Sequence, residues 1–71
     1  MRSISGISSG GVVKLTPAEV EVVTLVARGL TNKEVGQALR KSDLTVKNQL
    51  TAVYRKLRVK RRLQLIAMFR A

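Results

Sequence analysis

The chain of 71 residues carries 14 lysines and arginines against four aspartates and glutamates, giving a formal net charge of +10 and room for one small domain. It contains no cysteine and no histidine, which excludes disulfides, thiolate nucleophiles, imidazole bases and metal sites built from these ligands. Hydrophobic residues make up 45% of the chain, which favours a compact fold over disorder.

The few carboxylates argue against an enzyme. The two closest, Glu19 and Glu21, are two positions apart, a spacing that points side chains to different sides of a helix, so no acid/base dyad is visible. We therefore predict no enzyme activity, no metal and no cofactor. The longest apolar run, residues 22–27, is far short of the ~20 residues that span a bilayer, and no apolar signal segment follows Arg2. These features predict a cytoplasmic protein with no membrane partner.

Charge is unevenly distributed along the chain. All four acids lie between positions 19 and 43, and no acid follows. Such a gradient predicts a polyanionic partner, since basic side chains gain affinity for nucleic acid by releasing condensed counterions. The alternative is a basic face that serves solubility alone. The basic residues of the acid-free part are Lys47, Arg55, Lys56, Arg58, Lys60, Arg61, Arg62 and Arg70.

Residues 1–14 are rich in serine and glycine and show no sustained period, so we predict a flexible linker or tail ahead of a domain formed by residues 15–71. Gly6 and Gly11 have the spacing of a phosphate-binding loop. Val12 and Val13, however, stand where that loop requires Lys and Ser or Thr, so nucleotide binding is rejected.

The first helix is predicted from a capping pattern. Thr16 can cap the helix, Pro17 suits its first position, and Glu19 can complete a capping box. The helix should run to about Arg28 and stop at Gly29. Its buried stripe should contain Ala18, Val22, Leu25 and Val26, broadened by Val23 and Ala27, with Val20 half exposed.

A second, short helix is predicted because Thr31 and Glu34 repeat the capping-box pattern. Gly36 disfavours a helix interior, and a close approach of another helix explains it best. The buried face should consist of Val35, Ala38 and Leu39, and the following turn of Arg40 and Lys41.

A third helix is predicted from the Ser42 cap onward, with Asp43 at its positive end. Its apolar residues are spaced by 4, 3 and 4 positions, which defines one buried stripe. That stripe contains Val46, Leu50, Val53 and Leu57, with Tyr54 at its edge. The opposite face carries Leu44, Asn48, Thr51, Ala52 and Arg55, with Lys47 on the flank.

A fourth helix is predicted over residues 63–71, and it is apolar on two sides. Either the second side docks onto another subunit or the neighbouring helices cover it; the sequence leaves both open. The first side contains Leu63, Ile66 and Ala67, and the second contains Leu65, Met68 and Phe69.

Two capped helices joined by a tight turn form a helix-turn-helix pattern, and a helix fits the major groove of duplex DNA. Tyr54 and Phe69 are too few aromatics for single-strand stacking, which favours a duplex partner. We predict base reading by the outer side chains Leu44, Lys47, Asn48 and Thr51, for which plain solvent exposure is the alternative. Phosphate contacts are predicted for Thr31, Asn32, Lys33, Thr45, Arg55 and Lys56.

From Leu15 to Val59 the chain resembles LuxR/GerE-type helix-turn-helix domains, and the similarity continues through Leu65. It rests on the LTPxE start, the junction AxGxTNKE at residues 27–34, and the TVKN segment at 45–48 that leads to RKLxV at 55–59. The resemblance implies an all-α, four-helix bundle containing a helix-turn-helix, in a transcription regulator that often carries a receiver or autoinducer-binding domain upstream.

The same resemblance implies residue roles and partners. It places base contacts at Lys47, Asn48 and Thr51 of the third helix, and a homodimer interface on the fourth, where we assign Leu65, Met68 and Phe69. Double-stranded DNA is the expected partner, and RNA polymerase is a further candidate. The alternative function is a protein-interaction module whose basic helix face binds an acidic protein. A basic amphipathic membrane binder is disfavoured, because four helices would bury one another's apolar faces.

Overall fold

The computed structural model describes residues 14–69, and the predicted linker lies largely outside them. The described part contains four helices and no strand, which confirms the predicted all-α fold with a helix-turn-helix. The helices are α1 (Pro17–Ala27), α2 (Asn32–Leu39), α3 (Asp43–Leu57) and α4 (Arg62–Phe69). No described helix is long and apolar enough to cross a membrane.

Both predicted capping boxes are present. At α1 the Glu19 N–H donates to Thr16 Oγ1 over 3.1 Å, and the Thr16 N–H donates to Glu19 Oε1 over 2.8 Å. At α2 the Glu34 N–H donates to Thr31 Oγ1 and the Thr31 N–H donates to Glu34 Oε1 over the same two distances. Each box satisfies backbone donors that the first turn of a helix leaves without partners.

The starts of α3 and α4 are fixed differently. The Thr45 N–H donates to Ser42 Oγ over 3.0 Å, which confirms the predicted cap of α3. Helix α4 begins at Arg62, one residue earlier than predicted. The reason is Gln64, whose Oε1 accepts the N–H groups of Lys60 at 2.8 Å and Arg61 at 3.0 Å.

Three helix ends turn through left-handed backbone. Gly29 has φ 98° after α1, as its lack of a Cβ allows. Arg40 after α2 and Arg58 after α3 have φ 59° and 56°. For a residue with a side chain, this conformation costs roughly 1–2 kcal/mol. The two arginines are therefore strained helix ends that glycine would relieve.

The core is purely aliphatic. Helix α1 packs against the other three helices, and α2 also packs against α3. The predicted stripe of α3 is confirmed, since its first three residues are buried and Leu57 packs against the core from the edge. The buried hydrophobic residues are Val22, Val23, Val26, Val35, Val46, Leu50, Val53 and Leu65.

The buried face of α2 differs from the prediction in one residue. Ala38 is exposed, and Gly36 is buried in its place. A Cβ built on Gly36 would lie 2.5 Å from the carbonyl oxygen of Lys41. The glycine is thus explained by a close approach, as predicted, but the approaching group is the backbone of the turn and not another helix. The Lys41 N–H also donates to the Gly36 carbonyl over 2.8 Å.

The outward face of α4 also differs from the prediction. Leu65 is completely buried in the core, so its assignment to a dimer interface together with Met68 and Phe69 is wrong. Because Leu65 points inward, the helical period puts Met68 and Phe69 on its two flanks, where both stay partly exposed. The outermost residues are instead Leu63, which is 77% exposed, and Ala67, one turn later.

Candidate nucleic-acid interface

The structure brings the four predicted base-reading residues together on the outer face of α3. Leu44 is 64% exposed, and Lys47, Asn48 and Thr51 are exposed as well. The opposite stripe of α3 is almost completely buried, which fixes the rotation of the helix about its axis. The outer face is therefore presented by a rigid element and not by a loop.

The polar groups on this face differ in what they can offer a ligand. Thr51 Oγ1 donates to the carbonyl oxygen of Lys47 over 3.0 Å, so its proton is used inside the helix and its methyl group and acceptor lone pairs remain. Within residues 14–69, the side chains of Lys47 and Asn48 make no hydrogen bond. Lys47 is therefore available as a donor, and Asn48 as both donor and acceptor.

The predicted phosphate contacts at the start of α2 are divided between ligand-facing and internal roles. The Thr31 hydroxyl accepts the N-cap hydrogen bond, and Lys33 is exposed. Asn32 is half-buried, and its Oδ1 accepts a hydrogen bond from Arg62 Nη1 over 2.7 Å. Arg62 Nη2 donates to the Leu30 carbonyl oxygen over 2.7 Å as well. The start of α2 is thus connected to the start of α4.

Lys56 has an internal partner. Its Nζ donates to Glu19 Oε1 over 2.7 Å, while the same oxygen accepts the Thr16 N–H. Among the described residues, Glu19 is the one charged residue that is buried. The hydrogen bond from Lys56, followed by that from the Thr16 backbone, lowers the pKa of Glu19 despite its burial. Lys56 thus holds the end of α3 against the start of α1, and its phosphate contact stays a prediction.

Thr45 and Arg55 remain on the surface of α3. Thr45 Oγ1 accepts a hydrogen bond from Ser42 Oγ over 3.0 Å, and Arg55 is exposed. In the described part of the chain, the Lys56–Glu19 pair is the one ion pair. The other basic side chains there are not neutralised by carboxylates, which leaves a strongly positive surface around α3 and the start of α2.

Two contacts of this region were missed by the sequence reasoning. Lys41 Nζ donates to Gln49 Oε1 over 3.1 Å, and this bond connects the turn to α3. Arg62 and Asn32 are thirty positions apart, so no local pattern could pair them. Arg62 was visible only as one member of a basic run. Residues 14–69 also contain no group of three or more carboxylate, thiol or imidazole side chains that could hold a metal ion.

Residues 13–69 match the model of the family described as bacterial regulatory proteins, luxR family. The chain is 48% identical over 52 residues to HTH-type transcriptional regulator Rv0890c of Mycobacterium tuberculosis, a match that covers 73% of this chain and 6% of that protein. It is 44% identical over 54 residues to HTH-type transcriptional regulator YhjB of Escherichia coli, covering 76% of this chain and 27% of the other.

A third relative is transcriptional regulatory protein LiaR of Bacillus subtilis, which is 44% identical over 50 residues, or 70% of this chain and 24% of that protein. The chain thus spans about a quarter or less of these relatives. No solved structure shows a significant match to the chain.

Proposed function

The chain belongs to the luxR family of bacterial regulatory proteins, and on that premise we propose that it binds duplex DNA by placing α3 in the major groove. Membership confirms the predicted DNA-binding helix-turn-helix domain of transcription regulation, and it confirms that this domain is not an enzyme. The groove, the residues that read the bases and the assembly on DNA are proposals.

One observation carries the proposal: α3 buries one stripe almost completely and exposes an opposite face that carries no acid after Asp43. A helix with a fixed rotation and a positive, hydrogen-bonding outer face has the shape and the chemistry that the major groove accepts. The 64% exposure of Leu44 is part of this argument, because an apolar side chain there gains from a contact that removes it from water.

Each outer residue is assigned a role by its available groups. Lys47 donates to guanine O6 or N7, and Asn48 forms a bidentate pair with adenine N6 and N7. Leu44 contacts a thymine methyl group. Thr51 offers its methyl group to a second thymine, since its hydroxyl proton is held by the Lys47 carbonyl.

Backbone contacts position this helix on the duplex. Thr31, Asn32 and Lys33 lie at the start of α2, where helix N-termini attract phosphate. Thr45 and Arg55 flank the reading face of α3. These contacts supply affinity that falls with salt and does not depend on sequence.

Selecting a promoter requires more base pairs than one helix reads, so we propose a homodimer on two half-sites about one helical turn apart. Exposed apolar residues of α4 support this proposal, and the interface is assigned to Leu63, Ala67, Met68 and Phe69, without the buried Leu65. We further propose that the domain works in the cytoplasm within a longer regulator such as a response regulator, with RNA polymerase as a further partner. The support for a longer regulator is that the relatives named as transcriptional regulators are about four times as long as the matched segment.

The experiment that tests base reading is fluorescence anisotropy on a duplex selected from a random pool and on a scrambled duplex. Asn48→Ala should lose about 1–3 kcal/mol of binding free energy on the selected site and much less on the scrambled one. Equal losses on both would assign Asn48 to phosphate. Failure of any duplex to bind, together with binding to an acidic protein, would favour the protein-interaction alternative.

Thr24→Ala is a matched control for Thr51→Ala. Both threonines are exposed, and both hydroxyls donate to the carbonyl four residues earlier, over 2.7 Å for Thr24 and 3.0 Å for Thr51. The two substitutions therefore change helix stability in the same way. Only Thr51→Ala should weaken binding to the selected site, because Thr24 lies on α1 and not on the reading helix α3.

A further inference from the structure

Arg62 makes two hydrogen bonds that connect α4 to the entrance of α2. Its Nη1 donates to Asn32 Oδ1 and its Nη2 to the Leu30 carbonyl oxygen, both over 2.7 Å. Arg62 and Asn32 are half-buried. Helix α2 packs mainly against α1 and α3, so this guanidinium supplies the polar connection between the start of α2 and α4.

The contact determines which way the Asn32 amide faces. A guanidinium has only donors, so the amide oxygen must face Arg62, and the NH₂ group is then turned to the other side. Within residues 14–69, Asn32 Nδ2 donates no hydrogen bond. Its two N–H bonds remain available at the start of α2, next to the exposed Lys33.

We propose that Arg62 is a positioning residue for DNA binding, which holds the Asn32 side chain so that its NH₂ group donates to a phosphate oxygen of the duplex. The inference rests on the proposed function and deepens it, because it names how one backbone contact is oriented. Arg62 acts through Asn32, because each terminal nitrogen of its half-buried guanidinium donates to a protein oxygen at the start of α2.

The geometry requires arginine. The planar fork of a guanidinium donates to two acceptors at once, whereas a lysine ammonium is a point charge on a flexible stem and does not hold both in place. Arg62→Lys therefore keeps the charge and removes the orientation. Arg61 is the matched control, because it is the neighbouring residue and carries the same charge. Unlike Arg62, it is exposed, and its side chain makes no hydrogen bond within residues 14–69.

The test is fluorescence anisotropy of the full chain on the selected duplex, with Arg62→Lys, Asn32→Ala and the double variant. Arg62→Lys and Asn32→Ala should each weaken binding about three- to tenfold, the range of one hydrogen bond. The double variant should bind no more weakly than Asn32→Ala alone, since both changes remove the same contact. Arg61→Lys should bind as the unaltered chain does.

A second readout uses the unaltered protein and stays informative where a variant fails to fold. The side-chain NH₂ resonances of Asn32 in a nitrogen-15 NMR spectrum should shift when duplex is added. No shift would mean that the Asn32 NH₂ group does not meet the duplex, which leaves Arg62 without a DNA contact to position.

Three results would overturn the inference: additive losses in the double variant, unchanged binding by Arg62→Lys, or unshifted Asn32 resonances on a bound duplex. The proposed function fails in a distinguishable way, because the unaltered chain would then bind no duplex at all.

Discussion

Gly36→Ala sets two opposed effects against each other, and the structure decides the sign. Helix propensity alone favours alanine over glycine by about 1 kcal/mol in a helix interior. The added Cβ, however, would lie 2.5 Å from the carbonyl oxygen of Lys41. That atom belongs to the backbone of the turn, so it cannot move aside as the end of a flexible side chain could.

The expected magnitude follows from these two terms. Forcing a methyl group into a packed site costs about 1–3 kcal/mol, and a clash with backbone at this distance places the cost near the upper end. Subtracting the propensity gain leaves a net loss of about 2 kcal/mol. Because the displaced turn leads directly into α3, binding to duplex DNA should weaken together with stability.

The assay is urea unfolding followed by circular dichroism, with Ala38→Gly as the control on the same helix. Ala38 is exposed, so this reverse substitution should lose only the propensity difference of about 1 kcal/mol. Gly36→Ala should lose about twice as much, with an unchanged dependence of the unfolding free energy on urea. A stabilised Gly36→Ala variant would refute the packing argument, because it would mean that the turn yields without cost.

Three further predictions each concern a substitution of a single residue. Arg58→Gly should raise the unfolding free energy by up to about 1 kcal/mol, since glycine adopts the left-handed conformation at the end of α3 without strain. A lower midpoint temperature in thermal unfolding would contradict this. Glu19→Gln should lower the unfolding free energy by about 1 kcal/mol near neutral pH; solvent screening keeps this value small, because Lys56 is partly exposed. The pKa of Glu19 is lowered in the folded state, so its contribution to the unfolding free energy is present above the unfolded pKa and is lost as pH falls through the folded pKa. Glu19→Gln should therefore lose less stability on acidification than the unaltered chain. An unchanged loss at acid pH would assign the acid sensitivity to another group. Leu63→Glu should reduce self-association in sedimentation experiments with duplex while leaving the fold intact, and an unaffected dimer would place the interface elsewhere.

The local features of this fold could be predicted from the sequence, because their partners lie within four residues. Both capping boxes and the buried stripe of α3 depend only on spacing along one helix. The same periodicity therefore placed Lys47 and Asn48 on the outer face of α3, as the structure has them.

The features that escaped prediction depend on distant segments. Leu65 and Met68 share similar hydropathy, and only the packing of α1 against α4 decides which of them is buried. Nothing in a basic run reveals that Lys56 pairs with Glu19, and nothing there distinguishes Arg62 from Arg61. Charge patterns thus identified the kind of partner, but tertiary contacts decide which cations are available to it.

The central claim is that α3 lies in the major groove, and dimethyl sulfate footprinting on the selected duplex tests it most directly. Guanine N7 faces the major groove and adenine N3 the minor groove, so the reagent reports the two grooves separately. We expect protection of guanine N7 within the site, and loss of that protection in Lys47→Ala at the guanine that Lys47 contacts. Protection confined to adenine N3, or none on a duplex shown to be bound, would contradict the account.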